Sequence, residues 1–210
     1  MGLSKLLSVC SEYGIEHDIK YNSTKSNVMI FSCKKLKDIH ISNLLLNGET
    51  LPRVSKYKYL GRIITDDLCD NDDISRKYRR IYTQGNALIR KCYICTESVK
   101  YTLFKSYCTS LYTCQLWCCY RAESMRKLCV AYNNVFRFLC NESRDCSASY
   151  MFVSRGLPTC KMLIRQFFYS FLTCIAKSGN AILQSIMNSD ALYTSPLCRH
   201  WQKMLYVYSY

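Results

Sequence analysis

Asp73-Ile74-Ser75-Arg76-Lys77-Tyr78-Arg79-Arg80-Ile81-Tyr82-Thr83-Gln84-Gly85-Asn86-Ala87-Leu88 is the stretch at which the pattern of the chain changes. Ile74, Tyr78, Ile81, Gly85, Leu88 and then Cys92 recur on one helical stripe, while Arg76, Lys77, Arg79 and Arg80 mostly crowd elsewhere. This predicts a helix from about residue 71 whose first turns are strongly basic. The helical pattern then continues. A second helix is expected from about Ser98 to Tyr120, a third carrying Met125, Leu128, Cys129, Tyr132, Val135, Phe136 and Leu139, and a fourth carrying Met162, Leu163, Phe167, Phe171, Cys174 and Ile175. Ala181 to Met187 reads as a short helix, and Ser195-Pro196 opens another with proline at the first helical position.

Working back from residue 71, the pattern is mixed. Tyr57 to Thr65 is a strand candidate, and Leu44-Leu45-Leu46-Asn47-Gly48-Glu49-Thr50-Leu51 holds an Asn-Gly pair suited to the positive backbone angles of a type I′ hairpin turn. Val28-Met29-Ile30-Phe31 is an apolar run of strand length. Leu3, Leu6, Leu7 and Cys10 predict an amphipathic helix over residues 2–13, stopped near Gly14. The fold class is therefore α+β and predominantly helical, with hairpins first and helices after, dividing near residue 70.

Composition sets the frame. The chain has 210 residues, 49% of them hydrophobic, enough to bury a sizeable core and to exclude global disorder. Three prolines and seven glycines leave little loop punctuation, which favours long helices. A net charge of +14 attracts polyanions, with nucleic acid the leading candidate, although charge alone leaves a basic surface without a specific partner equally open.

Fifteen cysteines would mark a disulfide scaffold in a small secreted chain, but the first residues lack an apolar signal core and a cleavage site. The cysteines sit on helix faces among aromatics, as free thiols do when they act as small apolar groups. A reducing intracellular compartment is the better expectation, with nucleus and cytoplasm both open. Cys92-x-x-Cys95 has metal-ligand spacing, and Cys114, Cys118 and Cys119 lie downstream. Adjacent Cys118 and Cys119 make a poor second half-site, so buried thiols are favoured over zinc. Tyr101 to Tyr120 is apolar enough to raise a membrane span, yet Lys105, Gln115 and several hydroxyl residues interrupt it, and a buried bundle helix is preferred.

The order of segments carries a resemblance. Ser11-Glu12-Tyr13-Gly14-Ile15-Glu16-His17-Asp18-Ile19-Lys20-Tyr21-Asn22, then Thr24-Lys25-Ser26, then Val28 to Phe31 resembles polymerase motif D in the reverse transcriptases of non-long-terminal-repeat retrotransposons, the jockey-like and related long interspersed elements. Lys56-Tyr57-Lys58-Tyr59-Leu60-Gly61-Arg62-Ile63-Ile64 then resembles the primer-grip hairpin, motif E, with its Tyr-Leu-Gly core. Asn86, Leu88, Lys91, Val99-Lys100, Leu103-Phe104, Ser106-Tyr107-Cys108, Leu111-Tyr112, Trp117, Ala131-Tyr132-Asn133 and Ser147-Ala148-Ser149 are similar to the helical region that follows the polymerase core. Each motif is weak alone; their collinear order over nearly the whole chain is specific.

The resemblance implies a partial palm over residues 1–66, thumb-like helices over 67–141 and a post-thumb region over 142–210. Tyr59, Leu60, Gly61 and Arg62 would lie against a primer strand, Gly61 allowing close backbone approach and Arg62 facing phosphate. Packing of Tyr59 and Leu60 on their own sheet is the plainer alternative. Lys25 would match the motif D lysine, a general acid for departing pyrophosphate, although a surface lysine is the simpler reading. Arg76, Lys77, Arg79 and Arg80 would follow the product duplex by phosphate neutralisation, against the alternative of a solvated basic face. Tyr78 and Tyr82 could stack on bases but have core spacing.

The family's metal-holding aspartates would lie ahead of residue 2, so the expectation is a truncated polymerase remnant that retains at most weak, sequence-independent affinity for RNA/DNA template–primer duplex and does not polymerise. No cofactor is expected of it alone, whereas the intact family enzyme would use Mg ions. Ile64-Thr65-Asp66-Asp67 is no substitute: it follows the grip and runs into Asp70, Asp72 and Asp73, a solvated acidic loop whose last aspartates suit the start of the next helix. The rival expectation is a domesticated or co-assembling interaction module, docking on the missing polymerase part or another protein through an exposed palm face, with no membrane role.

Overall fold

The mixed pattern up to residue 70 and the helical pattern beyond it correspond to an α+β, predominantly helical structure. The computed structural model describes residues 2–31 and 43–206. It contains two compact units, Met1–Cys69 and Asp70–Tyr210. Among the described residues there are nine α-helices and two antiparallel hairpins, and no helix is long and apolar enough to cross a membrane.

In the first unit, α1 (Gly2–Glu16) runs through Gly14 where a stop was expected. The glycine is there for packing: a Cβ on it would stand 2.8 Å from the Ile19 carbonyl oxygen and 3.0 Å from the Tyr21 ring. Leu7, Cys10, Ser11 and Gly14 form the inward face, so Leu3 and Leu6 of the expected apolar stripe lie outside it, more than half exposed. The hairpin of β1 (Leu45–Leu46) and β2 (Glu49–Thr50) turns at Asn47 and Gly48, both at positive φ (52° and 78°), as the Asn-Gly pair predicts. Asn47 N–H donates to Ser11 Oγ at 3.1 Å, tying this turn to α1, and Leu44, Leu46 and Leu51 are buried beneath it.

Val28 to Phe31 does not form the expected strand. Val28 N–H donates to the Pro52 carbonyl and Val54 N–H to the Val28 carbonyl, giving a single parallel bridge between Val28 and Arg53. Pro52 has no N–H to extend the ladder. The segment from Tyr57 to Thr65 becomes a hairpin, β3 (Lys56–Tyr59) with β4 (Arg62–Thr65), turning at Leu60 and Gly61.

The second unit is helical: α2 (Asn71–Lys91), α3 (Glu97–Cys108), α4 (Ala122–Leu139), α5 (Ala148–Val153), α6 (Cys160–Ala176), α7 (Ala181–Met187), α8 (Asp190–Tyr193) and α9 (Pro196–Tyr206). Its core joins Ile74, Ile81 and Leu88 of α2 to Phe104 of α3, the inner face of α4, Phe152 of α5, Phe168 of α6 and Trp201 of α9. Phe104, Tyr132, Phe136 and Phe152 form an aromatic cluster, the Phe136 and Phe152 rings stacked at 4.7 Å. Each such ring contributes about 1.5–3 kcal/mol by burial. Tyr132 Oη donates to the Pro158 carbonyl at 3.0 Å, so the most deeply set hydroxyl is not orphaned.

The helix expected from Ser98 to Tyr120 ends at Cys108. Residues 109–121 follow as irregular backbone with one 3-10 turn, Cys114–Leu116, and with Leu111, Cys114 and Trp117 buried. What holds this strap is Asp70 and Asp73, which are buried, whereas Asp67 and Asp72 of the same acidic stretch are exposed as expected of a solvated loop. Asp70 (2% exposed) accepts from the N–H groups of Cys118 and Cys119 at 2.8 and 2.9 Å instead of capping α2. Asp73 (0% exposed) accepts from Trp117 Nε1 at 2.9 Å, Thr113 Oγ1 at 3.3 Å and Arg76 Nη2 at 2.6 Å.

Helices α2 and α4 pack closely because position 85 lacks a side chain. A Cβ there would stand 2.2 Å from Val135 Cγ1. Gly85→Ala gains about 1 kcal/mol in helix propensity but forces the helices apart, so a net loss of about 1–3 kcal/mol is expected in urea unfolding. Adding Val135→Ala should recover part of it; an unchanged or raised midpoint for Gly85→Ala alone would contradict the close packing.

Candidate nucleic-acid interface

Asn22 builds the first half of the candidate site. Its side-chain oxygen accepts from the Lys25 N–H at 3.0 Å and from Thr24 Oγ1 at 2.7 Å, and its carbonyl accepts from Ser26 Oγ at 2.9 Å. This capped 3-10 turn, Ser23–Lys25, fixes the backbone from which an exposed Lys25 projects. Ser23 Oγ donates to the Glu49 carboxylate, which links the turn to β2.

The β3–β4 hairpin builds the second half. Side chains alternate along β3, so Tyr57 and Tyr59 share one face. The register pairs Tyr57 with Ile64 and Tyr59 with Arg62, which brings Arg62 to that same face. Leu60 and Gly61 form the tip, both at positive φ (45° and 79°), with Leu60 75% exposed. Glycine suits that backbone; leucine does not. Leu60 therefore projects from the turn and does not pack on the sheet. Tyr59, 58% exposed, is not buried by the hairpin either.

The two halves meet in an open groove of about 440 Å³, lined by Lys25, Ser26, Asn27, Met29, Phe31, Val54, Tyr57, Tyr59 and Ile64. Its chemistry is one cation beside aromatic and apolar faces, suited to a phosphate together with a flat apolar group. Sequence reasoning named Lys25 and Tyr59 but missed Met29, Phe31 and Tyr57 as groove residues. For Tyr57 the signal was present in the period-two spacing with Tyr59; for Met29 and Phe31 it was not, because their place depends on the bridge to Arg53.

The basic residues of α2 divide by depth. Arg79 and Arg80 are exposed. Arg76 is half-buried, its guanidinium held on Asp73 through Nε and Nη2. Lys77 is 3% exposed, and burial, then Arg76, lower its pKa to about 8 against a partial offset from Asp73. Its ammonium is thus set into the core edge and not offered to a phosphate. Tyr78 and Tyr82 pack edge to face at 5.1 Å against the core.

A second cavity of about 470 Å³ in the helical unit is lined by Glu97, Tyr101, Glu142, Tyr150, Ser154 and Arg155. Its cation is already engaged: the Arg155 guanidinium donates to Tyr101 Oη, the Met151 carbonyl and the Glu142 carboxylate. Its donors are thus committed to acceptors of the chain itself. Of the loop acids, Asp67 Oδ1 accepts from Thr65 Oγ1 at 2.8 Å and the Cys69 N–H at 3.0 Å. Among the described residues no group of three or more His, Cys, Asp or Glu side chains is placed to hold a metal ion. Compared with models of known protein families, with curated proteins and with solved structures, the chain matches none.

The buried Lys77 has a measurable signature. Between about 8 and the ordinary 10.5, the unfolded chain keeps a proton that the folded chain has lost, so this residue's contribution to stability rises with pH through that window. Cys108 and Cys114, pushed up to about 12 by burial, act in the opposite sense, so the lysine must be isolated by difference. Lys77→Met should unfold at higher urea than the native chain near neutral pH, with the advantage shrinking as pH climbs through the window. A difference that stays flat would mean that the ammonium is hydrated in the folded state.

Proposed function

We propose that the chain carries the motif D, primer-grip and thumb elements of a retrotransposon RNA-directed DNA polymerase, and that its own activity is sequence-independent binding of RNA/DNA template–primer duplex. The observation that carries this reading is the convergence of Lys25 and Tyr59 on one groove. The resemblance assigns these two residues to separate motifs, and together they offer what a nucleotide chain uses: a cation for phosphate and an aromatic face beside it. An exposed Arg79–Arg80 pair and the net charge of +14 add the long-range attraction that such binding uses. In this reading Gly61 permits close approach of the strand to the hairpin tip, Arg62 and Lys25 face phosphates, and Tyr57 and Tyr59 lie against sugar or base. Lys77 is a structural residue of α2, and Arg76 serves Asp73.

One observation favours a second reading, an interaction module. Leu3, Leu6, Val9 and Tyr13 of α1 are each about half exposed or more and lie along one side of a single helix. Such a face suits docking on another polypeptide.

The two readings separate in solution. Fluorescence anisotropy with an RNA/DNA hybrid duplex should give binding that weakens steeply with salt and is indifferent to sequence. Replacing Arg79 and Arg80 with Ala together should reduce the slope of log affinity against log salt by about 2, one for each lost phosphate contact. Binding that is absent at low salt, or that does not weaken with salt, would overturn the duplex reading.

A further inference from the structure

The connection between α2 and α3 is the sequence Cys92-Tyr93-Ile94-Cys95. Cys92 closes α2, its N–H donating to the Leu88 carbonyl at 2.8 Å, and the Cys95 N–H donates back to the Cys92 carbonyl at 3.1 Å. A four-residue turn closed in this way holds its end Cα atoms within about 7 Å. A disulfide needs about 4.4–6.8 Å. The Cys95 thiol lies close enough to Cys92 to act on it electrostatically, so the closed turn brings the two side chains together. Tyr93 and Ile94 between them are 72% and 79% exposed, so the turn stands open to small reagents. Lys91 and Lys100 are close enough to act electrostatically on Cys92, giving the turn a positive surround that favours an anionic reagent.

We propose that Cys92 and Cys95 form a reversible dithiol–disulfide site whose oxidant is an anionic low-molecular-weight disulfide of the glutathione class. The chemistry balances without a metal or a further electron carrier. The Cys95 thiolate attacks one sulfur of the reagent, breaking its S–S bond and releasing one thiolate. Cys92, losing its proton, then attacks the Cys95 sulfur of the mixed disulfide and releases the second. Two protein thiols become one disulfide, the reagent is reduced to two thiols, and the two protons end on them. Partial burial, and then the Cys95 thiol, hold the Cys92 thiol above its ordinary value, so Cys92 is not the thiol that attacks first. Among the described residues no third His, Cys, Asp or Glu is grouped with the pair.

Cys129 of α4 and Cys160 of α6 also act on each other, but Cys160 is 2% exposed in the core, and Cys118 and Cys119, which are accessible, are adjacent in the chain and lack the two-residue turn. Because Cys92 packs against the core at the end of α2, oxidation would fix the elbow that leads into α3.

The test is peptide mapping of the intact folded chain. After incubation with glutathione disulfide and blocking with iodoacetamide, tryptic cleavage at Lys91 and Lys100 gives one peptide that carries both cysteines. It should lose both alkylation labels, be lighter than the reduced peptide by two hydrogen atoms, and regain both labels after dithiothreitol. In Cys92→Ser, Cys95 should stop at the glutathione mixed disulfide; in Cys95→Ser the peptide should form no internal disulfide. A native peptide that keeps both labels, or that carries two glutathiones, would overturn the proposal. So would oxidation of Cys129 and Cys160 ahead of this pair.

Discussion

Two buried carboxylates at the head of α2 hold the helical unit in its shape. Asp73 and Asp70 are both taken out of water, which is costly for a carboxylate unless donors surround it. The donors come from about forty residues away in sequence, and they belong to a segment that could not otherwise be buried. The strap between α3 and α4 has no helix or sheet partner for its backbone. Two of its N–H groups, a threonine hydroxyl and an indole N–H find their acceptors on these aspartates. Asn71 extends the arrangement by accepting from the Arg121 N–H and Ser124 Oγ at the start of α4. Carboxylates and strap satisfy each other, and neither could be buried alone.

The cost of this arrangement is visible in the backbone. Thr113, buried and β-branched, sits at a φ of 79°, a conformation such residues rarely adopt. Its hydroxyl bond to Asp73 and the burial of Trp117 beside it offset that strain. Packing then propagates outward: Trp117 is enclosed, Trp201 of α9 donates to the Gln115 carbonyl at 3.0 Å, and α9 is thereby fixed to the strap. Among the described residues of the first unit no carboxylate is buried; α1, the two hairpins and the buried Leu44, Leu46 and Leu51 are joined by the Ser11 hydroxyl and the Gly14 contact, and its groove lies between a capped turn and a hairpin.

What could be read from the sequence was what depends on neighbours along the chain. The stripe Ile74, Ile81, Leu88 gave α2; Asn47-Gly48 gave a turn with the right backbone signs; Ser195-Pro196 opened α9. What could not be read depends on distant partners. The apolar pattern continues past Cys108 into the strap, because buried irregular backbone needs apolar side chains as much as a helix does, and nothing local reveals that Asp73 will take Trp117. Val28 to Phe31 has strand composition, but its pairing is a single bridge to Arg53, a partner distant in sequence. Lys77 lies three residues from Ile74 and four from Ile81, so its place on the buried face was present in the spacing; its charge drew it into the surface set. At the candidate site, Lys25 and Tyr59 were legible through motif order, while the groove that unites them was not.

The tip of the β3–β4 hairpin sets stability against presentation. At φ 45°, Leu60 occupies a backbone region where asparagine or glycine would fold with less strain, and its side chain buries little to compensate. Selection for folding alone would favour replacing leucine here, as at Leu68, which is also exposed at a positive φ of 56°. Among related chains, the residue at this position would therefore act as a gauge of whether a projecting apolar knob at the hairpin tip is still under demand, independently of how well the rest of the fold has been kept.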